Sequence, residues 1–222
     1  MKILLIRHGE ADYEEDGLTE KGKREAAFLA GRIAPMQVKD YYVSPLGRAM
    51  ETAEATLRKA GRKAEVCPWL REFDIPIVED DGVKRPVPWN WIPRKWLSDP
   101  RFFSAEHWSE NEVLEKVGVG PAYEEVVSAF DKLLSGHGYR REGTYYRVEE
   151  ANTDTLVFFT HFGLSREYSA ALGMTSGNTT SSLFPHYCQE WKEWKIIIRK
   201  RKSARAVRRL LLRNIYFYYY IT

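Results

Sequence analysis

The most informative segment of this 222-residue chain reads Ile3-Leu4-Leu5-Ile6-Arg7-His8-Gly9-Glu10. Four apolar residues run directly into a cation, an imidazole, a glycine and a carboxylate. A short apolar run of this kind predicts a strand that is buried on both faces of a parallel sheet. Such strands present functional groups at their carboxyl ends, and Gly9 would let the backbone turn or a ligand approach closely. The alternative is that Arg7 and His8 belong to an ordinary solvated loop.

A second apolar run, Thr155-Leu156-Val157-Phe158-Phe159-Thr160, also ends in a histidine, His161, which Phe162 and Gly163 follow. Either histidine alone would more often be structural or solvated. In a parallel sheet, however, the carboxyl ends of the strands lie on the same edge. The repeated pattern therefore predicts that His8 and His161 lie close together.

The segments between these runs predict alternating helices and strands. Thr19 can cap a helix that extends to Ile33, and Asp40–Val43 is typical of a strand. A helix then follows Pro45, with Arg48 in its first turn. A positive charge there opposes the helix dipole, so Arg48 is poorly placed for stability and is a candidate anion ligand.

The middle of the chain is less regular. A third strand is predicted over residues 63–68, and Glu72 follows it among apolar neighbours that would favour its neutral acid form. The alternative for Glu72 is an ordinary loop carboxylate paired with Arg71. Residues 76–121 are rich in Pro and Trp and predict an irregular excursion with one or two short helices, serving for packing or as a lid. Beyond it, the pattern predicts a helix at Tyr123–Leu134, an exposed strand at Thr144–Val148 and a further helix at Leu164–Leu172.

The composition is that of a globular protein, with 44% hydrophobic and 29% charged residues. Cys67 and Cys188 are the only cysteines, which favours a reducing, cytoplasmic location over a disulfide framework. The first apolar run is too short for a signal peptide, and no segment reaches transmembrane length. Charge is uneven, because residues 189–222 carry a net charge of +8 and residues 1–188 a net charge of −5.

The basic segment 189–222 is interpreted as an atypical tail after a domain of residues 1–188. Its composition predicts poor packing, with a loose helix through Ala204 to Leu212, and only the Ile196–Ile198 run could add a strand to the sheet edge. Nucleic acid is expected only as a non-specific partner of this tail. Truncation after residue 200 is expected to keep activity and improve solubility, because the Tyr-rich end is an aggregation hazard.

Arg7, His8, Arg48 and His161, gathered at one point, would form a pocket for a tetrahedral oxyanion. Arginine offers forked donors that match phosphate, and a neutral histidine can attack phosphorus to form a covalent intermediate. Glu72 could then protonate the leaving alkoxide. Fixed cations would neutralise the transferring group, and the sequence has neither a metal-ligand cluster nor a Gly-rich nucleotide loop, so we expect no metal and no cofactor.

Five elements, taken in this order, resemble the histidine phosphatases, the superfamily of the cofactor-dependent phosphoglycerate mutases. They are Arg7-His8-Gly9-Glu10, Leu18-Thr19-Glu20-Lys21-Gly22, Ser44-Pro45-Leu46-Gly47-Arg48-Ala49 with Thr52-Ala53, Glu72, and His161 with Gly163. The resemblance extends from residue 2 to about residue 175. It implies an α/β fold, a three-layer sandwich around a mostly parallel central sheet, with residues 76–121 as a cap insertion. The segment 189–222 does not resemble the ending of the family.

The resemblance also implies roles for individual residues. By this likeness, His8 is the phosphorylated nucleophile and Glu72 the proton donor. The phosphate pocket is formed by Arg7, Arg48 and His161. The likeness extends the substrate contacts to four further residues, which are Gly9, Glu10, Thr19 and Phe162.

The sequence therefore predicts a metal-independent phosphatase that hydrolyses a small-molecule phosphomonoester through a phosphohistidine on His8. One alternative is a mutase-type phosphotransferase, which needs a bisphosphorylated priming cofactor. That branch fits less well, because Ala11-Asp12-Tyr13 stands where mutases carry a Trp-Asn pair, and only ten residues separate His8 from Thr19. The other alternative is a non-catalytic phosphate-binding relic with a polyanion-binding tail. The substrate and the oligomeric state stay open.

Overall fold

Strands of a mainly parallel sheet form the centre of the molecule, which we describe from a computed structural model. The structure describes residues 1–78, 84–85, 98–103, 107–143, 145–161, 194–199 and 209–218. These ranges contain twelve strands: β1 (Lys2–Arg7), β2 (Ala11–Asp12), β3 (Gly17–Leu18), β4 (Asp40–Val43), β5 (Glu65–Val66), β6 (Ile77–Val78), β7 (Lys84–Arg85), β8 (Tyr139–Glu142), β9 (Tyr145–Val148), β10 (Thr155–Thr160), β11 (Trp194–Arg199) and β12 (Arg209–Tyr218). Six of them form the central sheet in the order β11-β12-β1-β10-β4-β5, in which β11 alone among these described strands is antiparallel to its neighbour.

The two apolar runs form adjacent strands in the middle of this sheet, as predicted. β1 and β10 pair in parallel, with a register that runs from Lys2 opposite Thr155 to Arg7 opposite Thr160. All of β10 is buried, and so is β1 apart from its first and last residues. Because Arg7 and Thr160 are partners, the residues that follow them leave the sheet side by side.

Helices cover both faces of the sheet. The described ranges contain four α-helices: α1 (Glu20–Ile33), α2 (Gly47–Ala60), α3 (Glu112–Lys116) and α4 (Val119–Gly136). Thr19 caps α1 as predicted, since its side chain accepts a hydrogen bond from the Gly22 N–H. None of the helices in the described ranges is long and apolar enough to cross a membrane. The helix predicted at Leu164–Leu172 lies outside the described residues.

Side chains alternate between the two faces of the sheet and so divide the core into two layers. Between the sheet and the α1–α2 pair lie Leu4, Ile6, Val157, Phe159, Leu29, Ile33 and Ala53. Between the sheet and α4 lie Ile3, Leu5, Leu156, Phe158, Phe130 and Leu134. This arrangement confirms the predicted three-layer α/β sandwich with a mostly parallel sheet.

The hairpin of β8 and β9 is fixed to α4 by a polar network. The Asp131 carboxylate accepts hydrogen bonds from Arg141 Nη2, at 2.9 Å, and from the Tyr146 hydroxyl. Tyr146 is buried, so the exposed strand predicted from residue 144 to Val148 is a strand with a buried side chain. The sequence analysis did not predict β8, whose charged residues Arg140 and Arg141 give no apolar alternation.

The tail differs most from the prediction. The expected helix is wrong over residues 209–212, because these residues begin β12. β12 pairs in parallel with β1, placing Ile215 opposite Ile3 and Tyr218 opposite Ile6, and β11 contains the Ile196–Ile198 run that was expected to add a strand. A parallel partner for a central strand cannot be recognised from the charge of a segment.

The segment at residues 76–121 is irregular in its described parts. These parts hold the short β6–β7 hairpin, two 3₁₀-helices at Pro100–Phe103 and Trp108–Glu110, and α3. The third strand is shorter than predicted and is limited to Glu65–Val66. The division into a domain, a cap insertion and a tail stays a prediction.

Candidate active site

The carboxyl ends of β1 and β10 bring His8 and His161 together, as the repeated strand–histidine pattern predicts. Their ring centroids are 5.2 Å apart with the rings tilted by 54°. The His8 N–H donates to the Thr160 carbonyl at 3.1 Å, which continues the ladder of the two strands by one step. The backbone of the sheet therefore sets the separation of the two imidazoles.

The His8 ring is held by the backbone of the next residue, Gly9. Its Nδ1 lies 2.8 Å from the Gly9 carbonyl oxygen, which can only accept a hydrogen bond. Nδ1 must therefore carry the proton, and in the neutral ring Nε2 keeps its lone pair. Burial, together with the charges of Arg7 and Arg48, lowers the pKa of His8 to about 4, so the ring is neutral at pH 7.

His161 is held by a different strand. Its Nε2 lies 2.7 Å from the hydroxyl of Ser44, the residue that follows β4. The Ser44 N–H in turn donates to the Phe159 carbonyl at 2.9 Å, so β4 and β10 fix this contact together. Burial, followed by the charge of Arg48, lowers the pKa of His161 to about 2.

Arg48 points into the same region from the first turn of α2. The residue is only 9% exposed, and its charge contributes to the lowered pKa of both His8 and His161. The Arg48 carbonyl accepts from the Thr52 hydroxyl at 2.7 Å, and that hydroxyl accepts from the Gly9 N–H at 3.1 Å. Among the described residues, Arg48 Nε is buried and has no hydrogen-bond acceptor. A buried guanidinium nitrogen in this position is suited to an anionic ligand.

Arg7 completes the cationic side of the site. It is the last residue of β1, and its charge contributes to the lowered pKa of both His8 and His161. Arg71 acts on His161 in the same direction. Two neutral imidazoles among fixed cations form an environment that is suited to a phosphoryl group.

Glu72 lies on the segment that joins β5 to β6. The Thr160 hydroxyl donates to the Leu70 carbonyl at 3.2 Å, which ties this segment to the end of β10 two residues before Glu72. Glu72 Oε1 accepts from the Phe73 N–H at 3.0 Å. Leu70 and Phe73 are buried, which agrees with the apolar neighbourhood expected for Glu72.

Gly9, Glu10 and Thr19 have structural contacts of their own. A Cβ atom added to Gly9 would come within 2.8 Å of the Gly22 carbonyl oxygen, so Gly9 permits close packing on α1. Glu10 Oε1 accepts from the Thr19 hydroxyl at 2.8 Å, and Glu10 Oε2 forms an ion pair with Lys21 at 3.0 Å. Their predicted contacts with substrate stay predictions, and Phe162 lies outside the described residues.

The sequence analysis missed two residues of the loop between β2 and β3. The Asp16 carboxylate contacts Arg48 Nη1 through one oxygen and accepts from the Gly47 N–H through the other, at 2.8 Å. Tyr13 is 69% exposed, lies edge-on to His8 with ring centroids 6.4 Å apart, and has the Arg48 guanidinium 5.4 Å from its ring centre. The acidic run Glu14-Glu15-Asp16 was the only sequence signal, and it does not show which carboxylate contacts Arg48.

The sequence model of the histidine phosphatase superfamily (branch 1) matches residues 3–138. The chain belongs to this superfamily. The matched range includes Arg7, His8, Arg48 and Glu72, and it ends before His161. The resemblance inferred from the five sequence elements is therefore confirmed at the level of the family.

Individual relatives match over shorter ranges. The protein named Probable phosphoglycerate mutase GpmB of Cronobacter sakazakii is 33% identical over 88 residues, covering 36% of this chain and 41% of that protein. The protein named Probable phosphatase C1687.21 of Schizosaccharomyces pombe is 29% identical over 97 residues, covering 39% of this chain and 40% of that protein. The match thus spans less than half the length of these curated relatives of the superfamily.

The fold of this superfamily member is shared by a solved structure. A mutant phosphoserine phosphatase from Entamoeba histolytica, solved in complex with phosphoserine, superposes with a TM-score of 0.51 at 17% identity. The superposition covers 96% of this chain and 95% of that chain. It supports the fold assignment and leaves the substrate to be argued from the site.

Proposed function

We propose that this chain is a metal-independent phosphatase that hydrolyses a phosphomonoester through a phosphohistidine on His8. The observation that carries the proposal is the hydrogen bond from His8 Nδ1 to the Gly9 carbonyl oxygen, at 2.8 Å. It supports the proposal because a proton on Nδ1 leaves the Nε2 lone pair for attack on phosphorus. The pKa of about 4 keeps that lone pair available at neutral pH.

In the first step, His8 Nε2 forms a bond to phosphorus while the bond from phosphorus to the substrate oxygen breaks. The ring becomes a cationic phosphoimidazole, and the Gly9 carbonyl stabilises it by accepting from Nδ1–H. Arg48 and Arg7 neutralise the charge on the phosphoryl oxygens. Glu72 gives its proton to the leaving oxygen, which departs as an alcohol.

In the second step, water attacks the phosphorus of the phosphohistidine. The ionised Glu72 accepts a proton from this water, the bond between phosphorus and Nε2 breaks, and phosphate leaves. His8 returns to its neutral form and Glu72 to its protonated form. The cycle needs only water besides the substrate.

A phosphoglycerate mutase-type phosphotransferase is the second candidate, and the name of the Cronobacter sakazakii relative favours it. Both candidates share the first step on His8. They differ in the acceptor of the phosphoryl group, which is water in a phosphatase and a second hydroxyl of the substrate in a mutase. A requirement for a bisphosphorylated primer, with no phosphate released, would establish the mutase.

The test is a screen of phosphomonoesters with the purified chain, in which released phosphate is measured. Rapid quenching at alkaline pH should trap a phosphate that is labile to acid and bound to His8. His8→Gln should abolish both turnover and labelling. His137→Gln is a matched control, because His137 hydrogen-bonds Tyr42 at 2.8 Å beside Asp40 at the amino end of β4, at the opposite edge of the sheet. Turnover that survives in His8→Gln would remove His8 from the mechanism.

A further inference from the structure

Asp16 connects the loop between β2 and β3 to the amino end of α2. Its Oδ2 accepts from the Gly47 N–H at 2.8 Å, and its Oδ1 contacts Arg48 Nη1. Leu46 is the N-cap residue of α2, and its side chain makes no capping hydrogen bond. The Asp16 carboxylate, which lies outside the helix, supplies an acceptor for the first N–H of α2 instead. One carboxylate thus holds both the start of the helix and the guanidinium that projects from it.

The backbone around Asp16 is tightly constrained. Asp16 has a φ of 48°, the only positive φ of a non-glycine residue in the described part of the chain. Asp tolerates this left-handed region better than most residues. A Cβ added to Gly47 would come within 2.0 Å of the Asp16 carbonyl oxygen, so the loop and the helix are in direct backbone contact. The Asp16 backbone is therefore packed against the start of α2, and the Gly47 N–H gives the carboxylate a contact besides Arg48.

Arg48 keeps binding capacity after these contacts. Asp16 engages Nη1, and the ring of Tyr13 lies 5.4 Å from the centre of the guanidinium. Nε is buried and has no acceptor among the described residues. Asp16 thus engages Nη1 of the guanidinium and leaves Nε to a ligand.

We propose that Asp16 is a positioning residue, which holds the Arg48 guanidinium in the orientation that binds the phosphoryl group. The proposal rests on the proposed function, in which Arg48 contacts that group. Asp16 itself does not touch substrate. It restricts a long side chain that would otherwise lose rotamer freedom each time a ligand binds, and such pre-organisation strengthens binding.

Charge alone would make the loss of the Asp16 carboxylate strengthen anion binding. The Asp16 carboxylate partly cancels the charge of Arg48, so its removal alone would make the pocket more positive and tighten the binding of an anion. Positioning predicts that the same change weakens binding, because Arg48 becomes mobile. The sign of the change therefore separates the two explanations.

The measurement is the affinity for orthovanadate, determined by calorimetry in the absence of substrate. Asp16→Asn tolerates the positive φ and can still accept from the Gly47 N–H, but it removes the ion pair with Arg48. We expect binding about tenfold weaker, the usual order of effect for a charge-assisted hydrogen bond. Glu15→Gln is the matched control, because it removes the same charge from an exposed neighbour and should leave the affinity unchanged.

A double-mutant cycle with Arg48→Ala shows whether Asp16 acts through Arg48. Asp16→Asn should have no further effect on vanadate affinity in the Arg48→Ala background. If Arg48→Ala itself leaves the affinity unchanged, the role of Arg48 in the proposed function fails. If Arg48→Ala weakens binding but Asp16→Asn strengthens it or leaves it unchanged, only the positioning role is overturned.

Folding is checked separately by thermal unfolding of each variant. Asp16→Gly is the second variant, because glycine accepts the left-handed backbone without strain and removes both contacts. It should weaken vanadate binding at least as much as Asp16→Asn. Asp16→Glu should recover part of the vanadate affinity that Asp16→Gly loses, because it returns a carboxylate to the side of Arg48. If Asp16 had a purely structural role, its variants would change only the melting temperature. Full affinity in a folded Asp16→Gly variant would contradict the proposal.

Discussion

The carboxyl ends of β1 and β10 lie side by side, and each is followed by a histidine, but the two histidines are held differently. His8 is oriented by the carbonyl of the next residue, Gly9, and is 7% exposed. His161 is oriented by Ser44 from a neighbouring strand and is completely buried. The end of β1 thus presents a ring with a defined tautomer and some access, and the end of β10 presents a ring enclosed by protein.

We propose that this difference corresponds to different tasks at two positions that look equivalent in sequence. A nucleophile needs an available lone pair, which the hydrogen bond at Nδ1 leaves on Nε2 of His8, the nucleophile that we propose. A fully buried ring fixed by a hydroxyl has a constant orientation, which suits a supporting role beside the transferring group, and this is the task we propose for His161. In the proposed function, the same type of strand therefore supplies a reacting group at one position and a supporting group at the other.

Replacing each histidine with alanine is the strongest test of this difference between His8 and His161. His8→Ala should lose at least about 10⁴-fold in kcat, because no covalent intermediate can form. His161→Ala should lose about 10²- to 10³-fold, the range for removal of one preorganised donor. Phosphate trapping checks the assignment, since label should persist in His161→Ala and vanish in His8→Ala. Label on His161 would reverse it.

The end of β10 also anchors the segment that carries Glu72, through the hydrogen bond from Thr160 to Leu70. If Glu72 is the general acid, Glu72→Gln should lose about 10²- to 10⁴-fold with alkyl phosphates. The loss should be much smaller with an aryl phosphate, whose leaving group hardly needs a proton. Asp74→Asn is the control, since Asp74 is an exposed carboxylate of the same segment. Equal losses with both substrates would exclude this role for Glu72.

The two strands also differ in their neighbours, because β1 lies between β10 and β12 whereas β10 lies between β1 and β4. Truncation after residue 200 removes β12 and turns β1 into an edge strand. Four residue pairs join β12 to β1, and at about 1 kcal/mol for each main-chain hydrogen bond, their loss should destabilise the fold by about 4 kcal/mol. Urea unfolding measures this change.

This expectation replaces the earlier one that such a truncation improves solubility, because an unpaired apolar edge strand favours aggregation. Deletion of residues 219–222, which follow β12 in the chain, is the control and should have a much smaller effect. An unchanged midpoint after removal of residues 201–222 would show that β12 contributes nothing to the stability of β1.

The parts of the structure that local patterns encode were predictable from sequence. The apolar runs predicted β1 and β10, their shared edge predicted the contact of His8 and His161, and Thr19 was a capping residue. The link between Asp16 and Arg48 was not predictable, since it joins a loop with a positive φ to a helix thirty-two positions away. β12 was missed for a related reason. Its β-propensity was visible, but its pairing with β1 depends on topology.

Replacing Ser44 tests how His161 is held, with a smaller expected effect on activity. Ser44→Ala leaves the buried imidazole without its hydroxyl partner at Nε2, so we expect about a fivefold to tenfold loss in kcat/KM, in line with about 1 kcal/mol for a neutral hydrogen bond. Ser44→Thr keeps a hydroxyl and should recover most of the activity. This role of Ser44 would be contradicted if Ser44→Ala also prevented labelling of His8, because formation of the phosphohistidine does not need Ser44.

The last expected effect is a pH dependence of stability to which both histidines contribute. Burial is the main cause of their lowered pKa values, about 4 for His8 and about 2 for His161, against about 6.5 in an unfolded chain. Below pH 6.5 the unfolded chain therefore binds protons that the folded chain does not. Their contribution to stability is complete above about pH 6.5 and is lost as the pH falls, by up to about 1.4 kcal/mol per pH unit for each histidine.

Urea unfolding of the wild type, His8→Gln and His161→Asn between pH 7 and pH 3 measures these slopes. Each variant should lose stability less steeply than the wild type as the pH falls, because one titrating group is gone. The contribution of His8 should level off near pH 4, where the folded protein also takes up the proton, whereas that of His161 continues to lower pH. A slope in His8→Gln equal to that of the wild type would mean that the His8 ring is not held neutral by the fold, and the nucleophile would then need another source of its lone pair.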